Sequence, residues 1–124
     1  MRVTLFLLLF SGLWSIDVRA NPRLSRGIQL LQEGRVEEAL PLLQRSVAEH
    51  PESEKAHNYY GLALAKMSAL QTAIAEFRKA LDINPNYPEA QYNLATALNR
   101  IGDLQGAILA FRMRLCTRRQ RFSI

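Results

Sequence analysis

Apolar and polar residues alternate along this 124-residue chain with the period of an α-helix, in segments separated by turn signals. Residues 54–67 and 70–81 each place apolar side chains at every third or fourth position, which brings them to one face of a helix. The Pro- and Asn-rich segment 84–88 then interrupts the pattern. This part of the chain is therefore predicted to form two helices that pack as a hairpin.

The same pattern returns with a fixed period of 34 residues, as at Gly34, Ser68 and Gly102. Each period is predicted to form two helices. We therefore predict three helical hairpins, in residues 20–53, 54–87 and 88–121, of which the last is degenerate. Small residues mark the predicted helix crossings, where a larger side chain would push the two helix axes beyond the roughly 8–10 Å separation of close packing. The matching sets are Gly27, Gly61 and Ala95; Ala39, Ala73 and Ala107; Leu30, Leu64 and Leu98; and Leu43, Phe77 and Phe111, the last set expected to fill the space toward the next hairpin.

Several residues predict how the helices begin and bend. Ser68, followed three residues later by Gln71, is typical of a capping box at the start of the helix in residues 70–81. Asp103 is expected to cap a helix that begins at Leu104. Pro41 lies inside a predicted helix and is expected to cost one backbone hydrogen bond there.

These residues resemble the tetratricopeptide-repeat (TPR) family, whose repeat carries Trp, Leu, Gly and Tyr on its first helix and Ala, Phe, Ala and Pro on its second. In the third repeat, Arg114 and Arg119 replace the second Ala and the Pro. The resemblance implies an all-α fold, an α-solenoid of antiparallel helix hairpins with a right-handed superhelical turn. The second repeat matches best, through Tyr60, Gly61, Ala73, Phe77, Ala80 and Pro85.

In that family the first helices line a concave groove that accepts an extended peptide or a helix, so the resemblance assigns groove residues by position. The family's clamp for C-terminal carboxylates is not matched, because Leu24 and Ile28 stand at the positions of its Lys and Asn. The first repeat would also offer Leu31. The predicted groove residues of the second and third repeats are Lys55, Asn58, Tyr59, Leu62, Lys66, Glu89, Tyr92, Asn93, Thr96, Asn99 and Arg100.

The first twenty residues have the three-part layout of a signal peptide. A positive start is followed by the uncharged run 3–14, and Val18 and Ala20 occupy the −3 and −1 positions of a cleavage site. The run is shorter than the roughly 20 residues of a membrane-spanning helix. We expect cleavage before Asn21 and export to the periplasm or the medium; the alternatives are a membrane anchor through residues 3–16 and a buried core helix.

The charge of the chain is concentrated at its end. Residues 21–111 carry nine basic and ten acidic side chains, whereas residues 112–124 form a basic tail with five arginines and no acid. We expect solvated arginines rather than nucleic-acid binding. An apolar stripe in the last predicted helix predicts weak self-association or partner docking through this C-terminal face, strengthened by salt. The stripe consists of Leu104, Ile108, Phe111 and Leu115.

Residues with catalytic or metal-binding chemistry are sparse. His50 and His57 are the only histidines, and His57 stands where the family has its Trp, so packing is its expected role. The acids, Glu76 among them, are expected on solvated helix surfaces. No metal-ligand spacing, P-loop or nucleophile–base pair is present. We expect a non-enzymatic adaptor for polypeptides without a cofactor; the alternative is a self-associating structural component of an envelope assembly.

Overall fold

The computed structural model describes residues 21–122, so the predicted signal peptide or anchor in residues 1–20 lies outside the described part. Within residues 21–122 the chain contains only helices, which confirms the all-α prediction. None of these helices is long and apolar enough to cross a membrane. The helices are α1 (Pro22–Gln32), α2 (Val36–Glu49), α3 (Glu54–Lys66), α4 (Leu70–Ile83), α5 (Pro88–Arg100) and α6 (Leu104–Phe122).

The six helices pair as three hairpins, α1 with α2, α3 with α4 and α5 with α6, and successive hairpins stack. The first helices also touch one another, α1 against α3 and α3 against α5, whereas α2, α4 and α6 have no mutual contacts. The stack is therefore curved, with the first helices on its inner side. This is the solenoid that the resemblance implies.

The turn inside each hairpin adopts a left-handed backbone conformation at the same position of the repeat. Gly34, Ser68 and Gly102 have φ of 78°, 63° and 84°. The residue after each of them donates its N–H back to the preceding helix, as in the bond of 2.9 Å from Ala69 to the Leu64 carbonyl. The predicted capping box at Ser68 is wrong, because Ser68 closes α3 and the side chain of Ala69, the residue before α4, has no capping oxygen.

Ser68→Gly is expected to stabilise the protein by about 0.5–1 kcal/mol. The left-handed region costs a residue with a Cβ about 1–2 kcal/mol, and glycine avoids this cost. Part of the resulting gain in stability is lost because glycine has more conformational entropy in the unfolded chain. Gly102→Ala is the matched reverse change, since an added Cβ there meets nothing within 4 Å and the cost is confined to the backbone. Urea unfolding should move in opposite directions for the two variants; a shift in the same direction would contradict this account.

Side-chain caps fix the starts of three helices. The Oδ1 atom of Asn21 accepts the Leu24 N–H at 3.0 Å, and the hydroxyl of Ser53 accepts the Ala56 N–H at 3.2 Å. The predicted cap of α6 is confirmed, because Asp103 accepts the N–H of Gly106 at 2.9 Å. Helix α2 continues through Pro41 from Val36 to Glu49.

Close approach inside each hairpin accounts for the small residues. A Cβ on Gly61 would lie 2.7 Å from the Phe77 ring and 3.2 Å from the Ala73 carbonyl oxygen, and Ala73 is fully buried. A Cβ on Gly27 would lie 2.6 Å from Leu43. The predicted crossing is therefore present. Leu43 and Phe77 cover the glycines of their own hairpins, and each also shares a core cluster with residues of the next hairpin.

Candidate functional site

A cleft of about 200 Å³ opens between α3 and α5, the first helices of the second and third hairpins. Its floor is apolar, with Phe77 and Ala97 buried beneath it. Polar and charged side chains form its rim. Five of the predicted groove residues line this cleft: Leu62, Lys66, Asn93, Thr96 and Arg100.

Two cations stand on the rim of the cleft at matching positions, Lys66 as the last residue of α3 and Arg100 as the last residue of α5. Arg100 donates from Nη1 to the carbonyl oxygen of Ala65 at 2.9 Å, which holds its guanidinium over the space between the two helices. Among residues 21–119, no carboxylate lies within 4 Å of either cation. The rim thus offers positive charge to a ligand.

Asn58, a predicted groove residue, is fully buried. Its Nδ2 donates to the Tyr87 hydroxyl at 3.3 Å, and its Oδ1 accepts from Asn93 Nδ2 at 3.0 Å. Burial, with the charge of Glu89 as the next cause, raises the pKa of Tyr87 to about 12, so its hydroxyl is neutral. Asn58 therefore positions Asn93 at the cleft and does not itself face the groove.

The opposite end of the inner surface is more acidic and aromatic. Tyr59 is half-buried, and burial followed by the charge and hydrogen bond of Glu89 raises its pKa. Lys55 and Asn99 lie on their helices outside the cleft. Tyr59 lies seven residues before Lys66 on α3, a rise of about 10 Å along the helix.

Four other predicted positions do not join the cleft. Leu24 and Leu31 are buried in the core of the first hairpin, and Ile28 is packed against that core. Tyr92 is exposed, but it contacts the last helix: its ring lies edge-on to Phe111 and beneath the guanidinium of Arg114. Tyr92 therefore belongs to the end of the stack.

A buried polar cluster lies behind the groove, and the sequence did not predict it. His57 is 4% exposed, and its Nδ1 lies 2.7 Å from Glu76 Oε2 while its Nε2 lies 2.8 Å from the Pro51 carbonyl oxygen. Lys79 donates to the other oxygen of Glu76 at 2.8 Å. The expectation of a solvated Glu76 is wrong. Both partners of the ring are oxygen atoms that can accept hydrogen bonds, so His57 links Glu76 to the turn at Pro51.

The third repeat makes a neutral version of this cluster. Gln91, which stands where the second repeat has His57, donates from Nε2 to the Pro85 carbonyl oxygen at 2.7 Å and accepts from the Thr117 hydroxyl at 3.2 Å. In each case a polar residue on the first helix ties down the turn that precedes it. A sequence signal for these buried polar contacts exists. A polar residue recurs at one position of the repeat, at the same spacing after a proline.

A second depression, of about 350 Å³, lies between the turns of the first two hairpins and is larger than the cleft. Lys66 lines it as well as the cleft, and its other cation, Arg35, is paired with Glu38 at 2.6 Å and Glu33 at 3.2 Å. The hydrogen bond from Arg35 holds the pKa of the Glu38 carboxyl below its usual value. We therefore take the smaller cleft, with its two rim cations and apolar floor, as the candidate site.

Three stacked hairpins with a cleft on their inner side define a helical-repeat solenoid. Residues 24–88 and residues 76–108 each match a tetratricopeptide-repeat profile. The first match alone covers more than half of the chain, and the protein belongs to the tetratricopeptide repeat family.

Two curated relatives match over part of their length. The probable biofilm formation methyltransferase WspC of Pseudomonas putida is 35% identical over 79 residues, which are 64% of this chain and 19% of that protein. The TPR repeat-containing thioredoxin TTL4 of Arabidopsis thaliana is 30% identical over 81 residues, which are 65% of this chain and 12% of that protein. The chain thus spans less than a fifth of either relative.

Solved structures of the same fold are also similar. MamA 41-end from Desulfovibrio magneticus RS-1 has a TM-score of 0.79 at 26% identity, covering 87% of this chain and 63% of that one. The second TPR of Spaghetti (RPAP3) bound to the HSP90 peptide SRMEEVD has a TM-score of 0.73 at 22% identity, covering 77% and 88%. YrrB, a TPR protein with an unusual peptide-binding site, has a TM-score of 0.74 at 22% identity, covering 77% and 49%.

Proposed function

We propose that this protein is a non-enzymatic adaptor that binds an extended or helical polypeptide in the groove formed by α1, α3 and α5. The observation that carries the proposal is the cleft between α3 and α5, where an apolar floor meets a rim of amide, hydroxyl and cationic groups. Such a mixture suits a peptide, because side chains can enter the apolar part while the rim bonds the backbone. The peptide bound to the second TPR of Spaghetti and the peptide-binding site of YrrB support the class of ligand.

The charges of the cleft favour an acidic segment in the ligand. Lys66 and Arg100 converge on one space, and Asn93 beside them can both donate and accept hydrogen bonds. A carboxylate placed between the two cations would be bound by charge-assisted hydrogen bonds, which are about twice as strong as neutral ones. Lys66 and Arg100 do not stand at the positions of the family's clamp for C-terminal carboxylates. The proposed ligand group is therefore not restricted to a terminal carboxylate and includes the carboxylate of an acidic side chain.

Charge reversal at Arg100 is expected to weaken binding of an acidic peptide by about tenfold or more, a loss of about 1.4 kcal/mol. The probe is a short fluorescein-labelled peptide of alternating Glu and Leu, followed by fluorescence anisotropy, with a Lys–Leu peptide of the same length for comparison. Arg78→Glu is the matched control, because Arg78 is exposed on α4 and does not line the cleft. Equal losses in Arg100→Glu and Arg78→Glu, or equal affinity for both peptides, would refute this assignment.

A second candidate function is that of a self-associating structural component of an envelope assembly. Apolar side chains exposed on α6 support it: Leu104, Ile108 and Leu115 are 60%, 46% and 63% exposed. The arginines of the same helix oppose it, because a second copy would bring like charges together. The adaptor function is therefore the one that the described residues support best.

A further inference from the structure

The last helix exposes apolar side chains at positions that the preceding repeat buries. Ile74 and Phe77 on α4 are 3% and 1% exposed, whereas Ile108 and Phe111, at the same positions one repeat later on α6, are 46% and 39% exposed. Helix α5 packs on α4 and covers it, and no helix within residues 21–122 stands in that relation to α6. Within the described residues, the exposure arises because no helix of a following hairpin packs on α6, and not from a change in residue type.

The internal repeats show what kind of element covers such a face. Helix α5 covers α4 with Ala90 and Ala97, which are 0% and 1% exposed, and with Leu94 between them. Helix α3 covers α2 in the same way with Ala56 and Ala63, both fully buried. The covering element is therefore a helix with small residues seven positions apart and a larger apolar residue between them, which lets the two helix axes approach closely.

Helix α1 of a second copy, stacked head to tail, cannot cover α6 in the way that α5 covers α4. At the three corresponding positions α1 carries Pro22, Arg26 and Gln29, and none of the three is an apolar residue buried in the core. Arg26 donates to the side chain of Gln29 at 3.0 Å, so this side of α1 presents polar groups. Pressing this surface onto Ile108 and Phe111 would bury polar groups without partners.

Arginines line both edges of the exposed apolar stripe. Arg112 stands four residues after Ile108. Arg118 and Arg119 stand three and four residues after Leu115, respectively. No carboxylate lies within 4 Å of them among the described side chains. A second copy docking through the same face would oppose these charges to one another, whereas an acidic partner would neutralise them.

The exposed face of α6 also differs from the corresponding face of α4 in one residue type. Arg114 replaces Ala80, which is fully buried in the preceding repeat, and its guanidinium lies 5.1 Å from the centre of the Tyr92 ring. Tyr92 in turn replaces the buried Asn58 and is 48% exposed. The face therefore offers a cation held on an aromatic ring beside an apolar stripe. This arrangement favours a carboxylate on the partner over another hairpin of the same kind.

We propose that the C-terminal face, formed by Tyr92, Ile108, Phe111, Arg114 and Leu115, docks an acidic amphipathic helix of another polypeptide. The helix carries small residues seven positions apart, a larger apolar residue between them, and glutamates or aspartates along both edges. This surface is separate from the cleft between α3 and α5, so the adaptor would hold two polypeptide segments at once.

The test uses a fluorescein-labelled helical peptide of five turns that carries Ala, Leu and Ala at the spacing of Ala90, Leu94 and Ala97, with Glu at the flanking positions. A second peptide has Lys in place of every Glu. Anisotropy titrations compare the unmodified chain with Leu115→Asp on the stripe and Leu109→Asp elsewhere on the same helix. Both leucines are about equally exposed, at 63% and 61%, so neither substitution disturbs the core.

We expect the Glu peptide to bind, the Lys peptide not to bind, and Leu115→Asp to weaken binding by at least about tenfold. Leu109→Asp should leave the affinity unchanged, whereas Arg112→Glu should lower it. In an Arg100→Glu background, which removes the contribution of the cleft, Leu115→Asp should cause the same loss. Failure of the Glu peptide to bind, or equal losses in the two leucine variants, would overturn the proposal. So would sedimentation showing a dimer that Leu115→Asp dissociates and the peptide does not displace, since the occupant would then be a second copy.

Discussion

Gly61→Ala is expected to destabilise the protein by about 2 kcal/mol, although alanine forms helices better than glycine. Helix propensity alone would stabilise α3 by about 1 kcal/mol. The added methyl group, however, would lie 2.7 Å from the Phe77 ring, which is only 1% exposed, and 3.2 Å from the backbone oxygen of Ala73. Neither neighbour is a flexible chain end that can move aside, so overpacking at the upper end of about 1–3 kcal/mol outweighs the gain in propensity.

The third repeat already carries alanine at this position. Ala95 replaces Gly61 there, and its neighbour Phe111 is 39% exposed, while Phe77 is 1% exposed. Urea unfolding provides the measurement, with Thr72→Ala as the control, because Thr72 is exposed on α4 and the change raises helix propensity without steric cost. Phe77→Leu in the Gly61→Ala background should recover part of the loss by non-additivity. A stabilised Gly61→Ala variant would show that the two helices are farther apart than described.

The hairpins could be predicted from sequence because helix geometry and repeat length both appear directly in residue spacing. Gly61 and Ala73 are small for one local reason, the crossing of α3 and α4, and that reason recurs in every repeat. Where one period departs from the others, the prediction is weaker. The residues around Ser68 favour a helix cap, although Gly34 and Gly102 in the neighbouring repeats mark its position as a left-handed turn.

The polar residues are predicted less well, because polarity alone does not distinguish a solvated side chain from a buried one with partners. Position in the repeat assigns Asn58 to the groove, yet the next hairpin covers it and its amide bonds Tyr87 and Asn93. The spread of acids assigns Glu76 to the surface, yet it lies between His57 and Lys79.

In both cases some of the partners come from other helices, and their contact depends on how the helices pack. Lys66 and Arg100, in contrast, line the rim of the cleft. Each of them ends the first helix of its hairpin, so its place in the repeat is enough to bring it to the inner surface of the stack.

His57→Leu is expected to destabilise the protein by about 3 kcal/mol, the upper end of the cost of leaving a buried polar group without its hydrogen-bond partner, which is larger when that group is charged. The change leaves the 7%-exposed Glu76 carboxylate with Lys79 alone, whose own side chain is 56% exposed, and it removes the donor to the Pro51 carbonyl.

The third repeat suggests the repair for this loss, because it carries Gln91 and Ala110 where the second carries His57 and Glu76. Glutamine at position 57 can donate to the Pro51 carbonyl as Gln91 donates to that of Pro85, but it removes the imidazole from the Glu76 carboxylate, whose remaining partner is the exposed Lys79. His57→Gln combined with Glu76→Ala should therefore be more stable than His57→Gln alone, and a double-mutant cycle in urea should give a coupling of about 1–3 kcal/mol. If the two changes add without coupling, the His57–Glu76 contact contributes nothing to stability, and packing alone explains why position 57 is buried.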